Sequence, residues 1–338
     1  MVAKQRLVAE IGLLIYPDAQ LSAVYGLTDL FRIAGEWAPT EPGAAPPAIR
    51  VSHWRAEPGD EGVACVHDSH PGAEHKLAYV IAPPSLVMPG DMQDMRPAAA
   101  WLAARHAEGG AACSVCAGAF VLAEAGLVDG RPATTHWAFA AALAERFPAV
   151  KIDADRMVID DGDIITAGGI LAWADLGLTL VERLMGPSVM LATARFLLVE
   201  PPGRSQRPFR AFSPRFDHGD AAVLMAQRRL HAAQGKGLSV SELAGTAGLE
   251  ARTFLRRFSR ATGFRPAEYA QQIRIAKARE ELESSNRSVE QIAFDVGYSD
   301  PASFRRLFQR VTSLAPNAYR RRFGARATLG RSMEEKTT

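Results

Sequence analysis

The last third of this 338-residue chain repeats one pattern of residue types at a fixed interval, and that repeat constrains the fold more than any other feature. One copy reads Ser239-Val-Ser-Glu-Leu-Ala-Gly-Thr-Ala-Gly248 and runs on through Phe254 and Phe258 to Pro266 and Tyr269. The other reads Ser288-Val-Glu-Gln-Ile-Ala-Phe-Asp-Val-Gly297, then Phe304, Phe308, Pro316 and Tyr319. Each copy predicts two helices meeting at a tight turn, at 239–260 and 288–310. Ala244 and Ala293 are small enough for a close crossing, and Gly248 and Gly297 suit a turn that needs a positive φ. The second helix of each pair is expected from about Glu250 in one copy. In the other it is expected near Asp300, a capping residue followed by Pro301 in the first turn.

Helical spacing then sorts the faces. Phe254 and Phe258 lie four apart and point to a core, as do Phe304 and Phe308. The opposite face carries Arg252, Leu255 and Arg256 in the first copy, and Ala302, Arg305 and Arg306 in the second. Between the copies, Ile275, Ala278 and Leu282 stand at core spacing on a stiff connecting helix. Charge supports two separate jobs. Residues 1–203 hold 14 Lys/Arg against 24 Asp/Glu, net −10, and residues 204–338 hold 25 against 13, net +12. A basic helical module with arginines on one face has the electrostatic footprint of a partner with a phosphate backbone, and two such helices fit neighbouring major grooves of double-stranded DNA. Arginine can pair with guanine O6 and N7 or hold a phosphate, and sequence does not choose between these uses. The plainer alternative is a solvated basic surface.

The front of the chain has a different grammar. The apolar run Leu7–Ile15 predicts a buried strand, and 49–54, 78–82 and Ala111–Val115 are further strands. Helices are predicted over 21–34, 97–107, 118–125, 136–146, 170–184 and 188–198, and a hairpin over 157–159 and 164–166. Strands alternating with helices imply a mostly parallel sheet covered on both faces. The Pro/Ala/Gly stretch 39–47 reads as a loop. The proline-rich stretch 201–208, where the charge balance changes sign, marks the domain boundary. The domains are therefore 6–198, a linker 199–219, an all-α domain 220–324 and a polar, disordered tail 325–338. Apolar residues make up 48% of the chain, enough for proper cores, and no run is long enough to span a membrane. The N-terminal apolar run soon meets Pro17 and Asp18 and shows no convincing cleavage site, so the chain is expected to be cytoplasmic.

Ala111-Ala-Cys-Ser-Val-Cys-Ala-Gly-Ala-Phe120 is a small-residue strand that opens into a helix at Cys116. Ser114-x-Cys116-x-Gly118 is a loosened nucleophile elbow, a turn that sets its central side chain at a strand's carboxyl end above a helix N-terminus. That placement predicts a thiol of lowered pKa and an attraction for anions. His136, in Thr134-Thr-His-Trp137, is expected at another helix start. The alternatives are a buried hydrophobe for Cys116 and a satisfied helix-cap histidine for His136. Cys113 would sit inside the strand, which argues against a redox pair with Cys116, and three cysteines without histidine partners at ligand spacing give no metal site. No cofactor is expected.

Two resemblances attach to these residues. The twice-repeated Ala-x-x-x-Gly, Phe-x-x-x-Phe, Pro-x-x-Tyr pattern resembles the AraC/XylS-type DNA-binding domain over about 222–324, with Ser313 where that family usually has glycine. The resemblance implies base-reading roles for Arg252, Leu255, Arg256, Ala302, Arg305 and Arg306. Cys-Ala-Gly-Ala-Phe-Val-Leu-Ala-Glu-Ala-Gly-Leu-Val-Asp-Gly followed by Thr-Thr-His-Trp resembles the class I glutamine amidotransferase-like fold in its PfpI/ThiJ branch. It looks especially like the sensor domain of GlxA-type regulators, over about 6–195. This implies a flavodoxin-like α/β domain and a ligand pocket near Cys116, Ala117 and His136. Asp29, which matches an acidic position of the family's first helix, either lines that pocket or caps local structure.

Three departures argue against turnover. Ala117 stands where catalytic relatives have histidine, the stretch Gln20–Tyr25 lacks their acid, and Pro83-Pro84 offer no N–H to an oxyanion. The expectation is a non-catalytic, homodimeric transcription regulator. Its partners would be promoter DNA, a small nitrogen-containing effector and RNA polymerase, with no membrane. The rival is a thiol enzyme with a DNA-tethering tail, and a second rival is a ligand-free architectural DNA binder.

Overall fold

The computed structural model describes residues 6–39, 45–56 and 62–324. Residues 1–5, the middle of the expected 39–47 loop and the expected polar tail 325–338 lie outside the described residues. The chain divides into two compact units, Met1–Gln206 and Arg207–Thr338.

In the first unit strands and helices alternate. They are β1 (Leu7–Ile15), α1 (Leu21–Glu36), β2 (Ala48–Ala56), β3 (Val63–Asp68), β4 (Leu77–Ala82), α2 (Arg96–Ala107), β5 (Ala111–Val115) and α3 (Gly118–Glu124). There follow β6 (Pro132–Ala133), α4 (Ala140–Arg146), β7 (Lys151–Ile152), β8 (Val158–Asp160), β9 (Ile164–Ala167), α5 (Trp173–Met185) and α6 (Pro187–Phe196). The main sheet has the order β3-β2-β1-β4-β5-β9-β8. Its five inner strands are parallel, and β3 and β8 are antiparallel edges. This is a flavodoxin-like α/β domain. Along β1, Ile11, Leu13 and Ile15 join the core under α1, α5 and α6, while Leu14 joins the core under α2, α3 and α4. Burial on both faces explains why β1 is an uninterrupted apolar run. The strand order reverses at β1, and in such sheets ligands bind in the crevice outside the strands' carboxyl ends.

Local structure departs from the sequence expectation in two places. The edge strand β3 was not legible: it pairs antiparallel with β2 and leaves Ala64, Cys65, Val66 and His67 exposed, so it lacks the apolar run that marks the inner strands. The helix expected from His136 begins only at Ala140, and His136 lies in the preceding turn, with the Phe139 N–H bonded to its carbonyl. The hairpin β8–β9 pairs as expected, Val158 opposite Ala167.

The second unit is helical: α7 (Ala221–Ala232), α8 (Val240–Thr246), α9 (Ala251–Thr262), α10 (Pro266–Ser284), α11 (Val289–Asp295), α12 (Pro301–Thr312) and α13 (Pro316–Phe323). Two small cores repeat each other. Phe254 and Phe258 lie tilted at 5.4 Å, and Tyr269 meets Phe258 edge-on at 5.4 Å. Phe304 and Phe308 lie at 5.6 Å, and Tyr319 meets Phe308 edge-on at 5.3 Å. The 19-residue α10, about 28 Å long at 1.5 Å per residue, contributes Tyr269 and Ile273 to the first core and Ile275, Ala278 and Leu282 to the second. Capping boxes start α8 (Ser239 with Glu242) and α11 (Ser288 with Gln291). Gly248 (φ +62°) and Gly297 (φ +90°) make the turns, as their positions require.

The expected linker 199–219 is anchored along much of its length. Arg204 grips the buried Asp175 with two bonds, at 2.5 and 3.0 Å, and the Gln206 side chain is buried in the first unit. From Arg207 onward the chain is held by the second unit. The guanidinium of Arg279 donates to the carbonyls of Arg207 and Arg210, and Phe212 packs against Tyr269 at 5.1 Å. Among the described residues no helix is long and apolar enough to cross a membrane.

Candidate ligand pocket and nucleic-acid interface

Cys116 ends β5 at the carboxyl edge of the sheet with φ +55°, a left-handed conformation costly for a residue with a side chain. Its backbone is pinned at both ends. The N–H donates to the Ala167 carbonyl at 2.8 Å, and its own carbonyl accepts from the Thr135 hydroxyl at 2.8 Å. Gly118 lets the turn close, since a Cβ there would overlap the Ala82 carbonyl oxygen. Ala117 is wholly buried beneath. The elbow geometry expected from Ser114-x-Cys116-x-Gly118 is therefore present.

Its chemistry is not the expected one. The thiol is 2% exposed, and burial pushes it up to about 12, where an elbow at a helix start was expected to lower it. Helix α3 has only seven residues, and desolvation of a thiolate outweighs the field of so short a helix. At pH 7 the thiol is therefore protonated. No hydrogen bond joins the thiol to His136 among the described residues. The His136 Nδ1 accepts from the Ala138 N–H at 3.1 Å, which places the proton of the neutral ring on Nε2. Half-burial lowers its pKa and favours that neutral form. His136 thus presents an N–H donor beside its ring neighbours Trp137 (5.3 Å) and Phe139 (5.1 Å), rather than a base poised on sulfur. Across the crevice the Pro83 carbonyl accepts from the Tyr16 hydroxyl at 2.5 Å, and the Pro84 carbonyl accepts from the Gln20 N–H at 2.7 Å.

Cys116, Ala117 and His136 converge through Thr135, whose hydroxyl and backbone join the elbow to the His136 loop. Asp29 stays apart from that network: it is exposed on α1 and has no hydrogen bond or ion pair among the described residues. Gln20 and Trp173 each carry a buried polar atom without a hydrogen-bond partner among the described residues. These are the Oε1 of Gln20, whose side chain is 7% exposed, and the Nε1 of Trp173.

In the second unit all six expected reading residues are exposed, opposite the buried phenylalanines. Arg252 and Arg256 make no hydrogen bond or ion pair among the described residues. Arg305 is paired with Glu290, and Arg306 bonds the Ser303 hydroxyl at 2.8 Å and lies 3.8 Å from Asp300. Arg257, next to the first reading set, is taken up by a two-bond pair with Asp220 at 2.7 and 2.8 Å.

With this geometry in hand, the likenesses to known proteins sort by unit. Residues 243–322 match the helix-turn-helix domain model, and residues 63–183 match that of the DJ-1/PfpI family. The chain is 35% identical over 216 residues to the HTH-type transcriptional regulator GlxA of Rhizobium meliloti, covering 62% of this chain and 65% of the relative. It is 27% identical over 218 residues to the HTH-type transcriptional regulator CdhR of Pseudomonas aeruginosa, covering 64% and 65%. It is also 38% identical over 116 residues to an isonitrile hydratase of Pseudomonas putida, covering 34% and 47%. Each match to the two regulators spans just under two thirds of the relative's own length.

Proposed function

We propose that this chain, a DJ-1/PfpI-family domain followed by an AraC-type helix-turn-helix domain, is a one-component transcription regulator whose DNA binding is set by a small molecule. The observation that carries this reading is the repeat of one aromatic core beneath two exposed basic helices, α9 and α12. Each is a helix of major-groove width bearing arginine opposite its buried face. Arg252, Leu255, Arg256, Ala302, Arg305 and Arg306 are the proposed readers. The printed names of the GlxA and CdhR relatives support the same role.

The effector site is the crevice at the sheet's carboxyl edge, around Cys116, Ala117 and His136, joined by Gln20 and Trp173. Unpartnered buried polar atoms there are open to ligand hydrogen bonds, since leaving them unmade is costly. The resemblance to GlxA-type sensors favours a small nitrogen-containing metabolite. A ligand acts only by binding one arrangement of the protein better than another. The protein is proposed to work as a cytoplasmic homodimer, with RNA polymerase as a further partner. Selection of duplexes from a random pool by the purified full chain, followed by salt titration, tests the reading. Enrichment of one motif with a steep salt slope is expected; no preference over random competitor at moderate salt would overturn it.

The isonitrile hydratase match sustains a second reading, thiol catalysis in the front unit. A thiol raised to about 12 without a partner base speaks against it. Cys116→Ala decides: duplex binding should survive it, and loss of any isonitrile turnover with that substitution would favour the enzyme.

A further inference from the structure

We propose that Gln206 is a latch that couples the Cys116–His136 pocket to the backbone leading into the helical unit; this rests on the ligand-controlled regulator proposed above. Gln206 is the last residue of the first unit and is 2% exposed, unusual for an amide side chain in a stretch of proline and arginine. Its amide is fully used. Nε2 donates to the Thr135 carbonyl (2.9 Å), the Arg156 carbonyl (2.9 Å) and the Thr134 hydroxyl (3.1 Å). Oε1 accepts from the Trp137 N–H at 3.0 Å. Gln206 therefore grips the backbone on both sides of His136. Thr135, which it holds through the carbonyl, in turn holds the Cys116 carbonyl through its hydroxyl.

A second observation comes from the opposite wall. Gly168 follows β9, the strand whose last residue, Ala167, accepts the Cys116 N–H. A Cβ on Gly168 would overlap the Gln206 amide and come within 2.7 Å of the Thr135 carbonyl oxygen. Gly168 is thus the seat of the latch, a place where only glycine lets Gln206 dock. The docking is reinforced next door: the Gln206 N–H donates to the Asp155 carbonyl at 2.9 Å, and Arg204 grips Asp175. One residue further on, the Arg207 carbonyl is already bonded to Arg279 of the helical unit. A ligand that shifts the His136–Trp137 backbone must break the Trp137-to-Gln206 bond. The buried amide then loses most of its partners together, because Thr134, Thr135 and Trp137 lie on one loop and only the Arg156 carbonyl lies outside it. Such an element is docked or released, with little between.

The coupling is reciprocal, so releasing the latch must be felt in the pocket. In the full chain carrying Cys65→Ser, which removes the exposed thiol, Gln206→Ala and Gly168→Ala each undock the latch, one from either side. Labelling of Cys116 by methyl methanethiosulfonate, followed by peptide mass, should accelerate at least tenfold in both. The His136 titration, followed by NMR, should move up toward the ordinary histidine value. Ser205→Ala, which removes the hydroxyl bonded to the Asp155 carbonyl and leaves the Gln206 amide in place, should change labelling less than twofold. In a Thr135→Val background, Gln206→Ala should add less than twofold, because the link to the elbow is already cut. A melting temperature that falls while thiol labelling and histidine titration stay put would make Gln206 a structural staple and overturn the proposal. So would an unchanged affinity of both variants for a duplex selected by the wild-type protein, where at least a fivefold shift is expected. The pocket arms use neither DNA nor effector, so a protein that selects no duplex sinks the regulator reading separately.

Discussion

The two helix-turn-helix copies share a core and differ in the outer faces they expose. Beneath α9 and α12 the phenylalanine pairs and the closing tyrosines superpose in kind, distance and tilt. On the outer faces the first copy presents Arg252, Leu255 and Arg256, with both guanidinium groups unpaired among the described residues. The second presents Ala302, Arg305 and Arg306, with Arg305 tied to Glu290 and Arg306 to the Ser303 hydroxyl near Asp300. A duplicated scaffold therefore carries one outer face whose arginines are unpaired among the described residues and one whose arginines already have intramolecular partners. Core residues answer to packing, which the duplication preserved. Surface residues answer to the partner, and nothing in the fold keeps them alike.

The comparison can be tested from its strongest element outward. Phe258→Ala and Phe308→Ala should each destabilise the helical unit by about 3–5 kcal/mol. Chemical denaturation of the full chain reads this, and very unequal losses would show that the two cores are not equivalent. Arg256→Ala should weaken binding to a selected duplex by about 1–3 kcal/mol and relax the preference at one base pair. Arg306→Ala should cost less, because its guanidinium gives up protein partners on binding. A uniform loss on all sequences with a shallower salt slope would instead mark a phosphate contact. Glu290→Gln frees Arg305, and as an exposed pair is worth about 0.2–1 kcal/mol, affinity should rise by no more than several-fold. A fall would mean that Glu290 orients Arg305 for reading.

The turns offer the smallest test. Gly263 ends α9 at φ +76°, and Ser313 ends α12 at φ +60°. Ser313→Gly should therefore stabilise the protein by roughly 0.5–1 kcal/mol, the cost of holding a side chain in the left-handed region. Acid should also separate the copies. Hydrogen bonds from the Ser303 hydroxyl and from the Ala302 and Ser303 N–H groups hold the Asp300 carboxyl below its ordinary value. That cap is intact above the unfolded carboxylate range and is lost as pH falls through the lower folded value. Glu250, at the start of α9, caps nothing with its side chain. The exchange protection of the Ala302 and Ser303 amides, taken relative to the unstructured rate at each pH, should fall on acidification, with no counterpart at Arg252 and Thr253.

The helical unit was legible because its signals are local. Paired phenylalanines four apart, a glycine at each turn and Ser-x-x-Glu/Gln boxes each act within one or two turns of backbone. The inner strands were legible because burial on both faces writes an apolar run. The edge strand β3 was not, because it is held by pairing with β2 while most of its side chains face solvent. The elbow was located and its chemistry misjudged. The elbow motif placed Cys116 correctly, yet the thiol's acidity depends on how much of the rest of the unit closes over it. Gln206 was invisible: it sits in a stretch that reads as linker, and its partners lie 50 to 72 positions away.

By itself the sequence determined the alternation of strand and helix, the duplicated reader, the charge division and the place of the elbow. Each follows from residues near one another in the chain, where periodicity and turn chemistry act. Only the tertiary structure decided that the thiol is buried and weakly acidic, that Arg305 is already paired, and that a glutamine at the end of one unit grips the loop that carries His136. Desolvation and hydrogen bonding depend on which groups meet in space, and those groups come from segments tens of residues apart.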